Sequence, residues 1–197
     1  MIRRTAITLL ISAATLAADD KDSLITLGKE CRIGPISSGM TLLGVKTAVG
    51  ANNMVPAELD GPEGTKLEGL KVYPGTDREF HLVLEQIDNE KHAVEAIVVG
   101  KAWKFANGLK AGLSIPEVEK INGKPFRITG FGWDLGGYGL FEGGTLLGKV
   151  TLRFDTKADN ISDRITGDVQ ISSKDKDLLA AKPFVSEPIS VNLRKDS

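Results

Sequence analysis

The chain has 197 residues, with 25 basic against 26 acidic side chains, a formal net charge of −1 and 41% hydrophobic residues. The two signs are interspersed without a long basic run, which argues against nucleic acid and against the basic amphipathic helix an anionic membrane would select. The single cysteine, Cys31, rules out an internal disulfide framework, so stability has to come from an apolar core, as one domain or two small ones.

The chain opens MIRRTAITLLISAATLAADD. Arg3 and Arg4 precede a mostly apolar stretch too short to span a bilayer, and Thr15 and Ala17 offer a small-residue cleavage site. Residues 1–17 are therefore expected to be a signal peptide, with the mature chain starting near Ala18 as a soluble periplasmic or secreted protein. Cys31 lies well beyond that site, which speaks against lipid anchoring, and no later segment is apolar enough to be transmembrane. Cys31 itself reads as a small buried apolar residue.

Next comes an internal repeat. GPISSGMTLLGVKTAVG (Gly34–Gly50) and NGLKAGLSIPEVEKING (Asn107–Gly123) share the pattern G-apolar-[TS]-x3-V-x4-G, with matching positions 73 residues apart. Thr41 and Ser114 are placed to cap a short helix, Ser114 and Glu117 fit a capping box, and Gly50 and Gly123 suit left-handed C-terminal caps. Leu42, Val45 and Val49, like Ile115, Val118 and Ile121, recur at helical spacing. Helices of about two turns need a packing partner, and a sheet is the natural one.

Strands are expected at Phe80–Leu84 and Ala93–Val99 around a polar turn at 88–91, and then at Phe126–Thr129, Lys149–Phe154, Asp168–Ile171 and Ile189–Leu193. Gly- and Pro-rich stretches, Pro56–Gly75 and Gly130–Gly148, separate helix from strands in each half. The expectation is an α+β fold: a tandem repeat of a short helix plus antiparallel sheet, 18–103 and 104–197, with the helices packed on one sheet face.

These residues carry two resemblances. The G-M-T-x3-V-x4-G segment resembles the helix entry of small outer-membrane assembly lipoproteins of the BamE/SmpA type, and the tandem copies resemble the β-lactamase inhibitor protein (BLIP) architecture, which implies one concave surface made by two repeats. The chain lacks the lipidated cysteine of the BamE type, so membrane anchoring does not carry over. NGLKAGLSIPEVEKINGKPF, followed by GFGWD-x-GG and GD-x-x-x-SS, is also similar to a family of uncharacterised bacterial secreted proteins, a likeness that implies no activity.

The stretch GFGWDLGGYGLFEGG, Gly130–Gly144, has no third glycine for a dinucleotide fingerprint, and Gly148-Lys149-Val150 fails the phosphate-loop ending. It reads as a glycine-rich hairpin in which Trp133, Tyr138 and Phe141 either pack across the turn or form a recognition surface with Asp134 or Glu142 alongside. His81, His92 and Glu85 are the weak metal alternative, without a ligand motif to support it. No nucleophile elbow is present, and 155–163 lacks the glycine and glutamate of a calcium loop.

The expected function is therefore a non-enzymatic envelope binding module for a protein or small ligand. It needs no cofactor or metal, and its site residues are Trp133, Asp134, Tyr138, Phe141 and Glu142, with Trp103 a further aromatic near the junction. A carboxylate-dependent hydrolase of envelope polymers, working through Asp134 and Glu142, is the competing reading. A purely structural envelope component is the third.

Overall fold

The computed structural model describes residues 23–195, so the expected signal peptide lies outside the described residues. Leu24–Leu27 (β1), Cys31–Ile33 (β2) and Ile36–Ser37 (β3) lead into helix α1, Leu42–Val49. Met54–Asp60 (β4), Lys66–Val72 (β5), Phe80–Ile87 (β6) and Glu90–Val98 (β7) follow as a meander. Lys104–Phe105 (β8) precedes α2, Ile115–Asn122. Then come Arg127–Thr129 (β9), Gly139–Leu140 (β10), Val150–Thr151 (β11), Phe154–Asp155 (β12) and Gln170–Ser172 (β13). Lys176–Ala180 (α3), Phe184–Val185 (β14) and Ile189–Asn192 (β15) complete the described chain.

The largest sheet has six strands in the order β11-β15-β7-β6-β5-β4, all antiparallel. Four of them come from the first half of the chain and two from the second. Smaller sheets run β3-β2-β1-β8, β10-β9-β13 and β12-β14. The fold is thus mixed α+β and mostly antiparallel, and strands dominate it. That corrects the expectation of helices covering one sheet face. Two-turn helices present only a few apolar side chains each, too little to cover six strands. α1 lies against β7, while the five-residue α3 lies against the 3-10 turn at Asp163–Ile165. Among the described residues no helix is long and apolar enough to cross a membrane.

Both longer helices form where their caps predict. Thr41 Oγ1 accepts the Gly44 N–H (3.2 Å) at α1. At α2 the Ser114 N–H donates to Glu117 Oε2 (2.7 Å) and closes a capping box. Gly123 ends α2 in the expected left-handed cap (φ 74°, ψ 0°), whereas Gly50 ends α1 at φ 82°, ψ 135°, outside the left-handed helical region though still at a positive φ that favours glycine. Val45 and Val49 of α1, with Ile115 and Val118 of α2, enter one core with Val72, Phe80, Leu82, Ala96 and Val191 from the sheet. Cys31 is buried in the same core.

The opposite face of the sheet is different. Val83 pairs with Glu95 and Leu84 with Ala93, which leaves Val94 as an extra residue in a β-bulge. Ala93 joins the main core and Val94 joins Leu59 and Val83 in a small second cluster, and the bulge is what puts Val94 on the same face as its neighbour Glu95 instead of the opposite one. Leu67 and Ile97 sit half-buried at the margin of that cluster, on a face the helices leave open.

Candidate functional site

The glycine-rich stretch is an antiparallel hairpin. Ile128 pairs with Gly139 and Arg127 with Leu140, and a tight loop lies between. Its conformation is fixed by its own polar groups. The Trp133 indole N–H donates to the Gly130 carbonyl (2.9 Å), the Gly136 N–H to the Trp133 carbonyl (2.9 Å), and Thr129 Oγ1–H to the Leu135 carbonyl (2.6 Å). Thr129 Oγ1 also accepts the Tyr138 N–H (2.8 Å). From β12 the Phe154 N–H reaches the Gly137 carbonyl (2.7 Å), and Arg153 Nε donates to the Gly136 carbonyl (3.0 Å).

This rigid loop forms one wall of a groove of about 1490 Å³ over the open face of the six-stranded sheet. Leu67, Val83 and Ile97 make the floor, Phe131, Tyr138 and Ile161 line the wall, and the β4–β5 turn at Asp60–Gly64 closes the other side. Carboxylates stand around it: Asp60, Glu63, Glu95, Asp134, Asp155 and Glu187. Among the described residues, the one basic side chain lining it is Arg153, whose guanidinium lies 5.5 Å from the Tyr138 ring centroid. A smaller cavity of about 490 Å³ lies between α1 and β4–β5, with Leu42, Met54, Leu70 and Leu84 in its walls. It is the more apolar of the two, but it draws on the first half of the chain alone and contains none of the site residues expected from the sequence, Trp133, Asp134, Tyr138, Phe141 and Glu142.

Of those residues, Asp134 and Tyr138 line the groove. Trp133 does not. It is half-buried, and its indole N–H is spent on its own loop. Phe141 packs on Phe126, with ring centroids 4.9 Å apart, at the edge of the main core. Glu142 is exposed beyond the open end of the hairpin and pairs with Arg127. Asp134 and Glu142 therefore sit at opposite ends of the hairpin and form no acid–base pair. Trp103 is a core residue: it is buried, packs edge-on against Phe80 at 5.3 Å, and donates its indole N–H to the Arg78 carbonyl (3.1 Å).

The histidines also stay apart. His81 lies opposite Ile97 and donates to Glu79 Oε1 (2.8 Å), whereas His92 lies opposite Glu85 and donates Nδ1–H to the Gly39 carbonyl (3.1 Å). Glu85 is held below the usual carboxylate range by hydrogen bonds from Arg194, at 2.7 Å through Nη1. Backbone donation from Gly75, followed by the His81 bond, does the same for Glu79. Among the described residues no three metal-ligating side chains are grouped.

The groove residues that the sequence reading missed are the floor, Arg153, Glu187 and the Asp60–Gly64 turn. They come from five separated stretches and meet only through strand pairing. The alternation in β6 and β7 marked two faces, but not that one of them stays uncovered. Set against protein-family models, curated proteins and solved structures, the chain matches none.

Proposed function

We propose that this chain is a non-enzymatic binding module whose groove captures a protein or small ligand. The observation that carries this reading is the groove itself: a preorganised loop, an apolar floor and a Tyr–Arg wall, larger than most small-molecule clefts. Two helix-led halves contribute to it, as the resemblance to tandem BLIP-like α+β repeats implies. The hydroxyl N-caps Thr41 and Ser114 and the terminal glycines Gly50 and Gly123, each pair 73 residues apart, support the repeat. The binding would take place in the bacterial envelope, after removal of residues 1–17. The mass of the protein recovered from a secreting host checks that cleavage.

The test is in-cell crosslinking of the tagged full chain, followed by mass spectrometry. A reproducible partner is expected, lost when Tyr138→Ala and Asp134→Ala are combined while circular dichroism stays unchanged. Undiminished capture by the folded double variant would remove the groove from the reading.

A further inference from the structure

The groove's chemistry is amphipathic and one-signed. The whole chain carries a net charge of only −1, yet among the described residues six carboxylates and a single arginine line this cleft. Lys66 neutralises Asp60 at 2.5 Å. Glu95 lies in the field of Arg194. Among the described residues Glu63, Asp134, Asp155 and Glu187 make no ion pair; Asp155 only accepts the neighbouring Thr156 N–H (2.7 Å). Beneath this rim lie Leu67, Val83 and Ile97. A compact cation would meet the rim and leave the floor wet. An uncharged apolar ligand would fill the floor and leave the rim's field unused.

Resting on the binding-module reading, we propose that the groove receives an extended segment of another polypeptide in which lysine or arginine alternates with apolar residues. Successive side chains of an extended chain point to opposite faces, so one set packs on Leu67, Val83 and Ile97. The other set carries its charge on flexible methylene stems that bend sideways to the acidic rim. The complementary charge steers encounter, and the apolar floor supplies contact area.

The experiment is fluorescence anisotropy of the full chain with a labelled peptide of about eight residues, alternating lysine and valine. The comparisons are the same peptide with glutamate for lysine, and spermine as competitor. Saturable binding is expected for the lysine peptide, weakening between about 50 and about 300 mM salt, with none for the glutamate peptide. Combining D134N, D155N and E187Q should weaken binding by roughly tenfold with the fold intact, and Tyr138→Ala should weaken it without changing the salt dependence. Equal binding by the triple variant, equal binding of the glutamate peptide, or displacement by spermine at equal concentration would each overturn the assignment. If neither peptide binds while crosslinked capture still depends on Tyr138, the cationic-segment assignment falls and the binding-module reading stands. If capture is also indifferent to Tyr138, both fall.

Discussion

Gly137 shows how tightly the hairpin loop is specified. Its φ is +80°, where a side chain is strained, and a Cβ built there would press into the Phe154 carbonyl oxygen that β12 brings alongside. Gly148 offers the internal control: φ is +67°, but a Cβ would meet nothing within 4 Å. Gly148→Ala should therefore cost roughly 1 kcal/mol from backbone strain alone, and Gly137→Ala roughly 2–4 kcal/mol because backbone must also move. Urea midpoints of the two variants measure the difference. Similar midpoints would mean that the contact with β12 is loose and the groove wall is not preorganised.

At the scale of elements, α2 is held by polar contacts that titrate. Glu119 accepts hydrogen bonds from Ser173 Oγ (2.7 Å) and from Lys174, and Ser173 Oγ in turn accepts the Phe126 N–H (3.2 Å). Burial pushes the Glu119 carboxyl up, but the bonds from Lys174 and Ser173, with the Lys174 charge, outweigh it and leave it below the ordinary value. Glu79 and Glu85 are lowered as well. A carboxylate with a folded pKa below its unfolded one adds stability that is complete above the unfolded value, about 4.3. That stability is lost as pH falls through the lowered folded value. The urea midpoint should hold steady through neutral pH and drop below about pH 4.5. Glu119→Gln should cost about 1–2 kcal/mol at neutral pH and flatten part of that acid limb. An acid limb unchanged by Glu119→Gln would place the titrating groups elsewhere.

Helices α1 and α2 were legible because their signals are local: a cap, a glycine and three apolar residues lie within ten positions. The five-residue α3 was not, and neither were β4 and β5. Pro56 and the Gly61–Gly64 turn read as loop, yet β4 is an edge strand, where a residue without an N–H is tolerated. The alternating run Lys149–Phe154 was expected as one strand and divides into β11 and β12, which pair with β15 and β14 in different sheets. Alternation specifies which face a residue takes, not which strand lies beside it. The candidate site divides the same way. Asp134 and Tyr138 could be found from a glycine-flanked aromatic loop, whereas the floor depended on Val94 forming a bulge and on a sheet face left bare.

The chain before and after residue 104 is stitched together at several places. β15 occupies the position beside β7, the Leu193 N–H donates to the Val94 carbonyl (2.9 Å), and the Gly39 N–H donates to the Leu193 carbonyl (2.8 Å). β8 runs parallel to β1, and Lys149 Nζ donates to the Leu27 carbonyl (3.2 Å). Removing residues 104–197 would expose β7 as a new sheet edge and take Phe105, Ile115, Val118, Val191 and Leu193 from the shared core. At roughly 1.5–3 kcal/mol each, the loss is on the order of 10 kcal/mol, comparable to the whole stability of an ordinary domain. The fragment 18–103 should therefore show no cooperative unfolding transition of its own and should associate through its bared edge, while the full chain unfolds in one step. Calorimetry of both, with sedimentation of the fragment, decides it. A cooperative transition in a monomeric fragment would mean that the first half folds alone and receives β15 as an addition, and the groove would then be an interface between two domains rather than a feature of one core.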